Sequence, residues 1–248
     1  MNAQVEACIA SWRRVLGDYE IITWDSRRFD INSVPFVCEA CSAGKWAFAA
    51  DYIRLHALYT EGGIYLDVDV FVQKRFDEFL AHDFFTAVEY HPSIVKAEDS
   101  LRLLKPDGSK KAIPGAVPGI GVQAAVMGSV PGHPFVKTAL DYYRERSFVR
   151  ADGSPATAML APAVLALCAE DFGFRYRDTR QHLEPAMLVL PSALIAPTID
   201  QATPDAVAIH CCEGSWRDKS LLRSIGRSRL GRRLRGRRTF KDIVQGRY

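Results

Sequence analysis

Asp67 and Asp69 stand two positions apart, directly behind a double glycine and a short apolar run, in the string Asp51-Tyr-Ile-Arg54 … Glu61-Gly-Gly-Ile-Tyr65-Leu-Asp67-Val-Asp69. That pattern constrains the chain more than any other. Asp51 and Arg54 lie one turn apart on an amphipathic helix, Gly62 and Gly63 end it, and Ile64 to Leu66 read as a buried strand running into the carboxylates. Alternation along an extended chain points Asp67 and Asp69 to one face, with Val68 and Val70 on the other. Two hard oxygen ligands on one side suit Mn²⁺ or Mg²⁺ held together with phosphates and water. An isolated Asp-x-Asp also arises by chance on surface strands and turns, so its context carries the weight.

Further segments add to it: Cys8-Ile-Ala-Ser-Trp12, Tyr19-Glu-Ile-Ile-Thr-Trp24-Asp25, Met127-Gly-Ser-Val-Pro-Gly-His-Pro134, and Ile209-His210-Cys-Cys-Glu213-Gly214-Ser215-Trp216. Together, over roughly residues 8 to 218, the chain resembles the sugar-binding-region glycosyltransferases that carry a DXD motif. That group includes capsular polysaccharide synthesis enzymes, initiating mannosyltransferases and, more distantly, the glucosylating domains of large clostridial toxins. The resemblance implies an α/β domain of the GT-A type, a nucleotide-sugar donor and a divalent cation. It implies that Asp69 contacts the metal, that Asp67 sits by the donor ribose and sugar, and that Asp51 and Arg54 contact the transferred sugar and phosphates. It sets Tyr65 beside the nucleotide, makes Trp24 and Asp25 neighbours of base or ribose, and places Gly214, Ser215 and Trp216 over the diphosphate. His210 becomes the third metal ligand, with Glu213 as competitor. The residues alone read Asp51 and Arg54 first as an i, i+3 ion pair, and leave Tyr65 and Trp216 also readable as core aromatics. Relatives usually open on a further strand not found in these residues, which reads as a start misplaced or cut short, or as a smaller base pocket.

Hydrophobic residues make up 48% of 248, enough for one sizeable core. The expected organisation is a transferase domain over 1–218 and a basic tail over 219–248. Periodicity predicts helices over 3–15, 36–60, 133–146 and 158–170, and strands at 19–24, 84–89, 122–128, 187–190 and 206–210. A short helical turn is expected over 76–80 and a mobile loop over 91–118. Strands alternating with helices predict a mostly parallel central sheet.

Met1-Asn-Ala-Gln lacks the basic start and apolar stretch of a secretory leader, so a cytoplasmic location is expected. Cys38-Glu-Ala-Cys41 has helical rather than metal-site context, and the six cysteines read as reduced thiols. From Arg217 to Tyr248, 12 Lys/Arg face 2 Asp/Glu, although the whole chain is only +3. Arg227, Arg229, Arg232, Arg233, Arg235, Arg237 and Arg238 dominate this arm. It reads as a solvated terminus or as a peripheral contact with the anionic inner face of the plasma membrane. Nucleic acid is disfavoured, because no aromatic platform is interleaved with the charges.

The expected activity is metal-dependent, retaining transfer of a hexose from a nucleoside diphosphate sugar, UDP-linked by preference, to a polysaccharide or lipid-linked glycan. The competing readings are a nucleotide-sugar-binding protein without turnover and a Mg²⁺-dependent phosphotransferase.

Overall fold

Gly44 ends a helix where the apolar pattern would have carried it on. The computed structural model describes residues 2–211 and 238–248. The helix expected over 36–60 is two, α2 Pro35–Ser42 and α3 Trp46–Thr60. Gly44 takes φ +67°. Gly44 N–H donates to Cys41 O at 2.9 Å and Lys45 N–H to Ala40 O at 2.8 Å, the paired bonds that close a helix on a left-handed residue. The hydrophobic period runs across this break without a fault, which is why the sequence reads as one helix. α3 then buries Phe48, Tyr52, Leu55 and Leu58 along one stripe. It stops at Gly62, where φ is +71° and a Cβ would fall 2.7 Å from Pro131 Cδ.

The chain forms two compact units. The larger takes Glu20–Leu66 and Phe76–Ser192. Its sheet contains β1 Gly63–Leu66, β3 Phe84–Tyr90, β4 Ile120–Val122, β5 Val126–Ser129, β6 Gln181–Leu183 and β7 Met187–Leu190. The order is β1-β5-β3-β7-β6, with β4 also on β3. The α/β class holds, but the sheet is not mostly parallel. Only β3 and β7 run parallel, while the β1/β5, β3/β5, β3/β4 and β6/β7 pairs are antiparallel.

Connection length explains one of these pairs. β6 and β7 are joined by the tight turn Glu184-Pro185-Ala186, which suffices for an antiparallel pair but not for a crossover. The stretch 91–118, expected as a loop, holds α4 Pro92–Ala97 and a single-turn helix Ser100–Leu103. Through it the chain comes straight back along β3, with Tyr90 opposite Ile120 and Val88 opposite Val122. The strand expected over 122–128 is therefore two pieces on one side of β3. Residues 123–125 bulge between them, and the Thr86 hydroxyl donates to Gln123 O and Val126 O, each at 2.9 Å.

α5 Pro134–Arg144 and α6 Ala161–Glu170 lie within a residue or three of their predicted bounds. With α2 and α3 they bury Phe36, Tyr52, Phe135, Leu140, Phe148 and Leu165 against the sheet. The strand expected at 19–24 does not form: Ile21 and Ile22 are exposed, and no described strand pairs with this segment.

The smaller unit takes Met1–Tyr19, Asp67–Arg75 and Ala193–Tyr248, as far as these are described. It contains α1 Ala3–Val15, as predicted, with the Asn2 side chain accepting from Val5 N–H at its start. Its sheet has the order β2-β9-β8, from β2 Val70–Val72, β8 Ile195–Thr198 and β9 Ala208–His210. α7 Phe240–Val244 completes it. Here the structure departs from the expected solvated tail, since Ile243 is buried with Cys8, Phe71, Ile209 and Cys211.

His133 caps α5. Its Nδ1 accepts from Phe135 N–H at 3.2 Å while Nε2 lies 3.2 Å from Pro185 O, so the ring is held neutral. Burial depresses its pKa below 6.5, and burial followed by the Arg144 charge does the same to His56. A histidine with a depressed folded pKa binds its proton more readily once unfolded. Stability to urea is therefore expected to be full above about pH 6.5 and to fall as the pH drops below it. His133→Asn, which keeps a cap acceptor but cannot titrate, flattens that slope if the assignment holds.

Candidate active site

The antiparallel register of β2 on β9 sets Val70 opposite His210 and Phe71 opposite Ile209. One step beyond the pair, Cys211 N–H donates to Asp69 O at 2.9 Å. Asp69 and His210 therefore meet at the end of a ladder, held by main-chain bonds on both strands. Asp67 reaches the same place by a different route from the expected one. Residues 67–70 form a reverse turn between β1 and β2, with Val70 N–H donating to Asp67 O at 2.9 Å and Val68 exposed at its tip. The two carboxylates converge because the chain bends around Val68, not because they alternate along a strand.

His210 Nε2 lies 3.3 Å from Asp69 Oδ1 and 3.9 Å from Asp67 Oδ2. One ligand atom from each of the three lies within 4.8 Å of the others, and all three side chains are partly buried. Two carboxylate oxygens and one imidazole nitrogen at this spacing fit a divalent ion. Glu213, Gly214, Ser215 and Trp216 lie outside the described residues.

α1 braces this strand pair where a further strand would otherwise run. Trp12 Nε1–H donates to Val70 O at 2.7 Å, and the Ser11 hydroxyl accepts from Val72 N–H at 2.9 Å while donating to Cys8 O at 2.6 Å. Gln4 Nε2 adds a bond to Cys211 O at 3.3 Å. Trp12 and Ser11 thus satisfy the outer edge of β2. Sequence reasoning quoted both residues but missed this role. Adjacent hydrogen-bonding side chains on an otherwise apolar helix face were the available signal.

In the larger unit, Asp51 and Arg54 form the i, i+3 pair. Asp51 Oδ1 lies 3.0 Å from Arg54 Nη2, and both residues are less than a tenth exposed. Arg54 Nη1 donates to Ala124 O at 2.8 Å, in the bulge between β4 and β5, and Nε to Ala50 O at 3.2 Å. Its guanidinium carbon stands 4.9 Å from the ring centre of Tyr65, which is half-buried against the core. Arg54 thereby ties α3, β1 and the bulge together, a structural duty the sequence did not disclose. The Tyr143 phenol is pushed well above its ordinary pKa by burial, with the negative charge of Asp51 adding to it.

Trp24 packs edge-on to His56, 5.7 Å between ring centres, with the Arg28 guanidinium 5.8 Å from its ring. Asp25 is engaged locally. Its carboxylate takes bonds from the Arg27 guanidinium at 2.7 and 2.9 Å and from Arg27 N–H at 3.0 Å, and the Arg27 bonds hold its pKa below the ordinary range.

Residues 2–86 match the family model described as "Glycosyltransferase sugar-binding region containing DXD motif". Over that stretch the chain is similar to DXD-containing glycosyltransferase sugar-binding regions. Asp51, Arg54, Tyr65, Asp67 and Asp69 all fall inside that region. The inositol phosphoceramide mannosyltransferase 2 of Schizosaccharomyces pombe is 31% identical over 122 residues, 48% of this chain and 27% of that protein. The chain thus spans about a quarter of the length of the curated relative it matches. Among solved structures, a PaToxG glycosyltransferase superposes with a TM-score of 0.42 at 14% identity, over 69% of this chain and 64% of that one.

Removing one partner of a buried pair leaves the other charge uncompensated. Asp51→Ala is therefore expected to cost about 3–5 kcal/mol in urea unfolding. A stable Asp51→Ala chain would show that Arg54 is held by Ala124 and Tyr65 without it.

Proposed function

We propose that this chain is a divalent-metal-dependent, retaining glycosyltransferase that moves a hexose from a nucleoside diphosphate sugar, UDP-linked by preference, to a polysaccharide or lipid-linked glycan acceptor. The observation that carries the reading is the convergence of Asp67, Asp69 and His210 within the span of one coordination sphere. The sugar-binding region that ends just beyond these aspartates supports the donor class. The mannosyl group in the name of the Schizosaccharomyces pombe relative is compatible with a hexose.

Departure of a nucleoside diphosphate builds negative charge on its bridging oxygen, and a bound Mn²⁺ or Mg²⁺ would neutralise that charge. Asp69 and His210 would hold the cation, and Asp67 would share it or take a ribose or sugar hydroxyl. The strand ladder and the bonds from Trp12 and Ser11 keep these groups in place before donor arrives, which limits the reorganisation left for the reaction. Asp51 would accept hydrogen bonds from hydroxyls of the transferred sugar and Arg54 would face its phosphate side, as the resemblance implies. Among the described residues no further carboxylate stands out as a covalent nucleophile. A front-face route, with the leaving phosphate drawing the acceptor proton, accords with that.

Asp69→Asn keeps shape and hydrogen bonding while removing the anionic ligand. Its Mn²⁺-stimulated donor hydrolysis is expected to fall about 100-fold or more with the folded state intact, read by release of nucleoside diphosphate with and without Mn²⁺. Turnover equal to the unaltered chain would refute the metal assignment.

A cytoplasmic location at the inner face of the plasma membrane belongs to the same proposal. It rests on the charge of the arm over 219–248, of which 219–237 lies outside the described residues. Each basic residue near an anionic leaflet contributes about 1 kcal/mol, screened by salt. The chain is expected to sediment with phosphatidylserine vesicles at low ionic strength and to be released as salt is raised. Equal recovery with neutral vesicles would exclude the electrostatic contact.

A further inference from the structure

The strand pair that carries Asp69 and His210 has two faces, and the far one is covered by residues 239–248. Along β9 the side chains alternate, so Ile209 and Cys211 point away from the side that His210 occupies. Ile209, Cys211 and Phe71 of β2 are buried together with Cys8, Ala202 and Ala206, and Ile243 of α7 closes the cluster at 2% exposure. Phe240 meets Phe71 edge-to-face, 6.0 Å between ring centres at 86°, and Tyr248 packs on the same cluster. α7 is only Phe240–Val244, but it is firmly built. The Thr239 hydroxyl and Asp242 carboxylate form a reciprocal capping box, Arg247 pairs with Asp242 at 2.6 Å, and Arg238 donates to Ala202 O.

Strands of three or four residues have little stability of their own and need a packed apolar face to persist. In this unit α1 supplies the edge of β2 and α7 supplies the face. We propose that Phe240 and Ile243 are positioning residues for the metal centre. Acting through Phe71, Ile209 and Cys211, they hold the β2/β9 register that sets Asp69 beside His210. The inference rests on the metal reading above for its functional meaning, and on packing alone for its structural part.

The test uses the full-length chain, Ile243→Ala, and a chain ended after Arg238, with Mn²⁺ alone as probe. The dissociation constant is read from the free-Mn²⁺ paramagnetic resonance signal. Amide exchange is followed in parallel at Cys211, whose N–H bonds to Asp69 O, and at Leu188 to Leu190 of β7. Loss of a supporting contact outside the ligand set is expected to weaken Mn²⁺ about 10-fold. Exchange at Cys211 should accelerate while β7 stays protected. Ile243→Val should restore binding, and Val244→Ala, at an exposed position, should leave it unchanged. Unaltered Mn²⁺ affinity with retained Cys211 protection in both Ile243→Ala and the shortened chain overturns the proposal. If the unaltered chain binds no Mn²⁺, the metal reading fails, and exchange at Cys211 alone then decides the clamp. Lost protection on removing 239–248 supports it, and kept protection overturns it.

Discussion

Val70 sits opposite His210, and the candidate metal centre depends on that single register. A slip of one residue would turn His210 into the Phe71, Ile209 and Cys211 cluster and bring an apolar side chain toward the carboxylates. The surroundings oppose such a slip from several sides. Trp12 and Ser11 engage specific backbone groups of β2, Cys211 bonds back to Asp69, and Ile243 fills the face behind. None of these contacts is strong alone, since one hydrogen bond contributes about 1 kcal/mol net. Their joint effect is geometric: each is satisfied in one register only.

The buried pair in the larger unit follows a different logic. Asp51 and Arg54 have left water at a cost that their attraction only partly offsets. Arg54 recovers more through Ala124 O, Ala50 O and the Tyr65 ring. The result fixes the bulge over 123–125, which in turn lets β4 and β5 both run along β3. Arg54, which the resemblance reads as a contact for sugar and phosphates, is in the structure a fastener of the sheet, and that duty needs a fixed, charged guanidinium.

The fold was legible where local pattern decides it and illegible where neighbours do. α1, α5, α6 and β7 follow their apolar periods and turn residues closely. The segment 19–24 has the composition of a strand but finds no partner strand, and composition cannot reveal that. Sheet direction was misread because alternation of strands and helices counts elements and does not say which strands become neighbours or which way each returns. Asp67 and Asp69 were rightly paired for a wrong local reason, because a reverse turn and an extended strand can both bring i and i+2 together.

What the sequence determined by itself is the acidic pair behind a glycine stop, the helix that carries Asp51 and Arg54, and the resemblance that links them to a donor sugar. These are short-range facts, written within a few residues of one another. What the tertiary structure decided is that His210 joins Asp67 and Asp69, that Trp12 and Ser11 stand in for a neighbouring strand, and that the end of the chain backs the same sheet. Such contacts join positions far apart along the chain. They exist only once burial has repaid the entropy of bringing those positions together.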